Sequence, residues 1–221
     1  MPIDYEEKYK KAYKDNVRYV VKQIQKGELD DKIDNFCSLH DFDRDDLISE
    51  IEKNVYLQAV FAINPNKQNI YEKIAGEYIK NIVGVTEFKK LPNDKLYISN
   101  GGIMTKEQKK QMGSVSTAKT IDFTWQFSRC DFYASHKHTT QSGGTQGGQY
   151  KDLQAFITEA NKTISSNNYF IAIADGDFYQ MKDTEVNTKR IDRLKKDANN
   201  QKRVYACNIN ELKDLMKRIT A

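Results

Sequence analysis

The chain has 221 residues, 38% of them hydrophobic and 30% charged, with a net charge of +4. That is enough for one sizeable core, or for a core with a helical extension. No run of about eighteen apolar residues occurs, and the N-terminal residues lack the apolar core of a signal peptide, so a cytoplasmic protein with no membrane span is expected. Three scattered cysteines, Cys37, Cys130 and Cys207, argue against a disulfide framework or a zinc knuckle. The mildly basic balance permits a polyanionic partner without requiring one.

Tyr9, Tyr13, Val17, Val20, Val21 and Ile24 recur at helical spacing and predict a helix over residues 4–26, with Gly27 to end it. A shorter helical piece follows over residues 33–39. Asp43 is placed to cap a longer helix through Leu47, Ile48, Ile51, Val55 and Val60, stopped before Pro65. Residues 1–66 therefore read as a helical scaffold or dimer surface, and residues 67–221 as the domain that carries chemistry.

That domain opens with a helix over residues 70–83, striped by Ile70, Ile74, Tyr78 and Ile82 and ended by Gly84. Residues 96–99 form a strand, Asn100-Gly101-Gly102 a turn, and residues 105–111 a polar connector. Two strands, 118–125 and 131–138, are joined through residues 126–130 as a hairpin. Side chains alternate faces along a strand. Ile121, Phe123 and Trp125 share one face, and Thr120, Asp122 and Thr124 the other. Phe132 and Ala134 oppose Tyr133, Ser135 and Lys137. With the apolar faces together, Asp122 and Lys137 lie on one polar side, where they can bind a divalent cation and activate a water. His136 and His138 fall on the apolar side, as packed residues rather than ligands.

Residues 139–149 carry no charge and four glycines. They read as a loop, followed by a helix to about Thr163 that buries Tyr150, Leu153, Phe156, Ile157 and Ala160. Gln141, Gln146 and Gln149, with Lys151 beside them, are candidates for contact with DNA, since glutamine pairs bidentately with adenine in the major groove. Residues 169–174 form an almost wholly apolar strand, as expected of one covered on both faces. A basic helix over about 184–198, a strand at 204–207, and a final helix opened by the capping-box pair Asn208 and Glu211 complete the chain. The fold class is α/β (α+β): a mixed central sheet flanked by helices, with a helical N-terminal region.

The helix, the hairpin carrying Asp122 and Ser135-His136-Lys137, the next helix and the buried strand together resemble the PD-(D/E)XK nuclease superfamily, and within it the type II restriction endonucleases. The likeness covers residues 67–221. The tail, with Asp175-Gly176 and Asn208-Ile209-Asn210, is similar to the end of some GATC-cutting enzymes. Two departures stand out: Ile121 precedes Asp122 where the family has proline, and Ser135 replaces the acid two residues before the lysine. A branch that includes CCGG-cutting enzymes shares Ser-x-Lys and takes its missing acid from the following helix.

The resemblance therefore implies a migrated acid, here Asp152, with Gln149 in reserve. It implies Mg²⁺ held by Asp122 and Asp152, with Lys137 and Ser135 as further catalytic residues. An auxiliary acid is Glu72 or Glu77, Glu77 being counted as a metal ligand. The implied activity is Mg²⁺-dependent hydrolysis of double-stranded DNA at a specific sequence. The enzyme would be a homodimer, and a cognate DNA methyltransferase would protect the same site. Three rivals stand beside this reading: a catalytically inactive nuclease-like domain that only binds DNA, a repair or nonspecific nuclease on the same fold, and a structural α/β protein whose polar hairpin is incidental.

Overall fold

The computed structural model describes residues 3–63, 67–92, 95–112, 117–140, 144–164, 167–183 and 187–221. Four helices make up most of the first compact unit, Ile3–Tyr71. α1 (Tyr5–Gln25) opens on Asp4, whose carboxylate accepts from the Glu7 N–H at 2.9 Å. α2 (Asp30–His40), α3 (Arg44–Lys53) and α4 (Val55–Phe61) follow. The single long helix expected after Asp43 is two helices. Asn54 takes an extended backbone, and its side chain accepts from the N–H groups of Tyr56 and Leu57, so the residue ends α3 and caps α4. Val20, Leu29, Ile33, Leu47, Ile51 and Phe61 form the unit's core.

The second unit, Glu72–Ala221, begins inside α5 (Lys67–Lys80). Its strands are β1 (Val85–Lys90), β2 (Leu96–Ser99), β3 (Gly102–Thr105), β4 (Lys119–Thr120), β5 (Phe123–Phe127), β6 (Cys130–His138), β7 (Asn168–Asp175) and β8 (Val204–Cys207). Its later helices are α6 (Lys106–Gln111), α7 (Gly144–Ala160), α8 (Asp177–Gln180), α9 (Arg190–Asp197) and α10 (Ile209–Ile219). Five strands form one mixed sheet in the order β1-β5-β6-β7-β8. The first three are antiparallel neighbours, and β6, β7 and β8 run parallel. A small second sheet has the order β3-β2-β4.

Helices cover both faces of the large sheet. On one face Leu153, Phe156 and Ile157 of α7 and Leu194 of α9 pack with Phe170, Ala172 and Val204. On the other, Trp125 stacks on Phe132 at 5.3 Å and its indole N–H points at Met216 Sδ of α10 at 3.2 Å. α5 comes close on that same side: a Cβ on Gly76 would lie 3.2 Å from Phe88 and 3.3 Å from Phe123. No helix among the described residues is long and apolar enough to cross a membrane.

Three local departures from the sequence reading have physical causes. β1 is not apparent in the sequence pattern because its pairing with β5 shifts register between Thr86 and Lys89, with Glu87 at φ 50°, and the shift destroys the alternation of faces. The connector at 105–111 is strand and helix, with Thr105 and Gln108 forming a reciprocal capping box. The glycine-rich loop is mostly helix: α7 starts at Gly144 rather than near Tyr150.

Helix formation through those glycines runs against their propensity, each one costing about 1 kcal/mol relative to alanine. A Cβ at Gly147 or Gly148 would meet nothing within 4 Å. Gly148→Ala is therefore expected to stabilise the protein by about 0.5–1 kcal/mol, read as a higher urea midpoint with an unchanged slope. A lower midpoint would contradict a helix that begins this early.

Candidate active site at the break between β4 and β5

The strand expected over 118–125 is broken at Ile121-Asp122, and the break creates the site. The Ile121 N–H donates to Leu96 O in the small sheet at 3.1 Å, whereas the Asp122 N–H donates to Ala134 O in the large one at 2.8 Å. The last ladder pair between β5 and β6 is Phe123 with Ala134. The chain has left the large sheet before it could pair with His136. The His136 N–H, which would otherwise lack a strand partner, is taken by the Asp122 carboxylate at 2.7 Å. The polar side chain thus finishes the sheet locally, and this requirement for a satisfied buried donor is one reason an aspartate sits here.

Beyond the break, the hairpin register is regular. Trp125 faces Phe132 and Phe127 faces Cys130, leaving Ser128 and Arg129 as a two-residue turn with φ of 50° and 64°. Both positive angles match the strand twist of a tight hairpin. This register fixes Tyr133, Ser135 and Lys137 on the α7 side and Phe132, Ala134 and His136 on the other.

Around Asp122 the groups converge. The Ser135 hydroxyl donates to Asp122 Oδ2 at 3.2 Å, and Lys137 Nζ lies 3.9 Å from the same oxygen. Asp122 is 4% exposed. Burial pushes its carboxyl above the usual aspartate range; the Lys137 ammonium and the His136 N–H oppose the shift, and the Glu72 carboxylate adds to it. All three contacts fall on Oδ2, and among the described residues no donor reaches Oδ1.

Asp152 stands at the middle of α7, its side chain 52% exposed, with Oδ1 2.9 Å from Lys119 Nζ on β4. It lines a cavity of about 220 Å³ with Ser135, Lys137, Lys119, Thr120 and Ala118. The expected partner of Lys137 on that helix therefore opens onto the same space as Lys137, although its carboxylate is turned to Lys119. Lys119 has no place in the sequence reading. Strict alternation assigns it to the face of Ile121, and only the break after Thr120 frees it to face the cavity.

The two candidate auxiliary acids stand in different surroundings. Glu77 is exposed on α5, whereas Glu72 is 4% exposed, lies 3.4 Å from Lys90 Nζ and acts on the Asp122 charge. Five residues along a helix turn the side chain by about 140°, so the two glutamates cannot share a face. The Gln149 Oε1 accepts from the Thr139 hydroxyl at 2.5 Å. Lys151 is exposed. Gln141 and the side chain of Gln146 lie outside the described residues.

On the opposite face the buried His136 places Nε2 3.0 Å from Asp175 Oδ2, and Asp175 Oδ1 accepts from the Ile209 N–H at 2.8 Å. That pair ties β6 and β7 to the start of α10 and lies away from the Lys137 side.

Among the described residues no three His, Cys, Asp or Glu side chains converge on one point. A hard divalent cation takes oxygen donors, the kind of atom that the Asp122 and Asp152 carboxylates carry. A carboxylate buried beside one amine, with an oxygen unclaimed, is a group whose charge a cation would stabilise.

No protein-family model and no curated protein matches the chain. Among solved structures it is similar to protein VC1899 from Vibrio cholerae, with a TM-score of 0.32 and 10% identity, over 99% of this chain and 57% of that one. The chain spans a little more than half the length of that protein.

Proposed function

We propose that the protein is a divalent-cation-dependent endonuclease acting on double-stranded DNA, of the PD-(D/E)XK kind and, within it, a type II restriction enzyme. The observation that carries the reading is the Asp122 carboxylate 3.9 Å from Lys137 Nζ on adjoining segments, with Asp152 opening on the same cavity as Lys137. The order of elements supports it: a helix, an antiparallel hairpin, a crossover helix and a parallel buried strand are the parts on which the family resemblance rests.

In this reading Asp122 and Asp152 would be the residues that hold Mg²⁺, and a bound ion would supply a water of lowered pKa and charge neutralisation at the phosphate. Lys137 directs its amine at the attacking water and the phosphate oxygens, where a preorganised cation in a dry pocket is worth most. Ser135 and the His136 N–H hold the Asp122 carboxylate in place through Oδ2. The same reading gives a homodimer that cuts both strands of a palindrome with two copies of one site, and a cognate methyltransferase that protects it.

A large duplex DNA incubated with Mg²⁺ or with chelator tests it. Discrete fragments in the Mg²⁺ lane only are expected, whereas a smear would point to a nonspecific nuclease. The pairing of Asp152 with Lys119 favours a second reading, a nuclease-like fold that binds DNA without cutting. Retarded but uncut DNA in the presence of Mg²⁺ would establish that one instead.

A further inference from the structure

Strand pairing sets one row of side chains across the α7-side face of the large sheet: Phe170, Tyr133, Thr124 and Lys89 follow one another in register. Tyr133 stacks on Phe170 with ring centroids 5.7 Å apart, and on its other flank its register partner is Thr124. Threonine is short, so the row has a gap between the Tyr133 ring and the Lys89 stem. That gap belongs to a cavity of about 320 Å³, a size that holds a small ligand.

The two ends of the cavity differ in chemistry. In the next row Gln126 faces Asp131, and the Gln126 amide donates to Asp131 Oδ1 at 3.0 Å. Gln126 keeps its Oε1 as an acceptor, and a carboxylate that has accepted one donor can accept more. Glu87, at the register shift of β1, brings a second carboxylate to this end. Two amines line the other end: Lys89 opposite Thr124, and Lys95 beside Leu96, whose carbonyl takes the Ile121 N–H. An aromatic wall between an acceptor-rich end and a cationic end suits a planar base that carries an anion on its far side. Of the common bases, guanine has two adjacent donors on its Watson–Crick edge, N1–H and the N2 amine, and a carboxylate accepts both. Adenine and cytosine set a ring-nitrogen acceptor beside their amine, which a carboxylate repels.

We propose that this cavity binds a guanine nucleotide whose base is unpaired, with the ring on Tyr133 over Thr124, the Watson–Crick edge on Asp131 and the phosphate on Lys89 and Lys95. Tyr133 lies two residues from Ser135 on the same face of β6, about 7 Å along the strand. The cavity therefore adjoins the candidate active site while sharing no lining residue with it. The inference stands whether or not the Asp122 centre hydrolyses DNA. A free mononucleotide and a guanine within a single strand offer the same chemistry.

The test is calorimetric titration of the full chain with GMP and AMP, and with a short oligothymidylate carrying one central guanine or one central adenine. Guanine is expected to bind about tenfold or more tightly than adenine in at least one format. Tighter binding of GMP than of the guanine oligonucleotide identifies a free nucleotide as the ligand, and the reverse order a strand. Tyr133→Leu is expected to weaken binding about ten- to hundredfold, the usual worth of a base stacked on an aromatic ring. Lys89→Met is expected to cost about tenfold, as for a lost hydrogen bond to a charged group. Tyr133 also supports Phe170, so the decisive variant is Asp131→Asn, which alters one partly exposed group and is expected to erase the preference for guanine. No binding or no preference for guanine in either format would overturn the proposal, as would a preference that survives Asp131→Asn.

Discussion

Lys137→Ala is expected to lower the rate of DNA cleavage in Mg²⁺ by about 10²–10³-fold, the range found when one preorganised charge-stabilising donor is removed from an active site. Binding of the same DNA in chelator is expected to weaken by about tenfold or less, because one cation among many phosphate contacts is lost. The separation of the two effects is the informative part. Lys137 is only 15% exposed and its stem is packed on the α7 side of β6, so Lys137→Met, which keeps the stem, guards against a folding defect. Equal losses of binding and cleavage would place Lys137 in DNA recognition instead of in the reaction.

Asp122 gives the second large effect, which appears without any substrate. A ligand that binds only the folded state stabilises it by about 2.7 kcal/mol at one hundred times its dissociation constant. Saturating Mg²⁺ is therefore expected to raise the wild-type melting temperature by several degrees, and to leave Asp122→Asn unmoved. The same variant should lose cleavage altogether.

The pH dependence has a definite sign. Burial raises the folded-state pKa of Asp122 above its unfolded value, so the metal-free native state binds this proton more tightly than the unfolded chain does. The stabilisation is complete below the unfolded value, about 3.9, and is lost as the pH rises through the raised folded value. In chelator the wild type should gain stability relative to Asp122→Asn as the pH is lowered across that window. A wild type that instead loses ground to Asp122→Asn on acidification would mean a carboxylate stabilised by its surroundings, with no need of a cation.

What the sequence made legible follows from how local each signal is. The final helix announces itself in Asn208 and Glu211, and the structure has both halves of that capping box. β7 could be read from six consecutive apolar residues, because a strand covered on both faces needs no alternation. Asp43 caps its helix with its own side chain, as its place before the apolar run announces. The mixed sheet with helices on both faces followed from the order of these elements.

The features that stayed hidden depend on partners far away in sequence. Residues 120–125 alternate without interruption, and nothing in them shows that Ile121 pairs with Leu96 while Asp122 pairs with Ala134. Because of that switch the carboxylate caps His136, and Lys119 faces Asp152. The Ser128-Arg129 turn carries neither Asn nor Gly in its left-handed positions, so its tightness is imposed by the strands on either side. Glu72 and Glu77 are equivalent in composition and differ only in which flank of α5 meets the sheet. The start of α7 was concealed by glycines whose propensity opposes the helix they join.

The central claim is that Asp122 and Asp152 share one divalent cation beside Lys137. Crystals of the protein soaked in Mn²⁺ test it through the anomalous signal of the ion. The account predicts a peak about 2.0–2.4 Å from both Asp122 Oδ1 and the Asp152 carboxylate, with the Lys119 amine moved off Asp152. A saturating soak with no peak at these carboxylates, or a peak touching only one of them while Lys119 stays on Asp152, would contradict it.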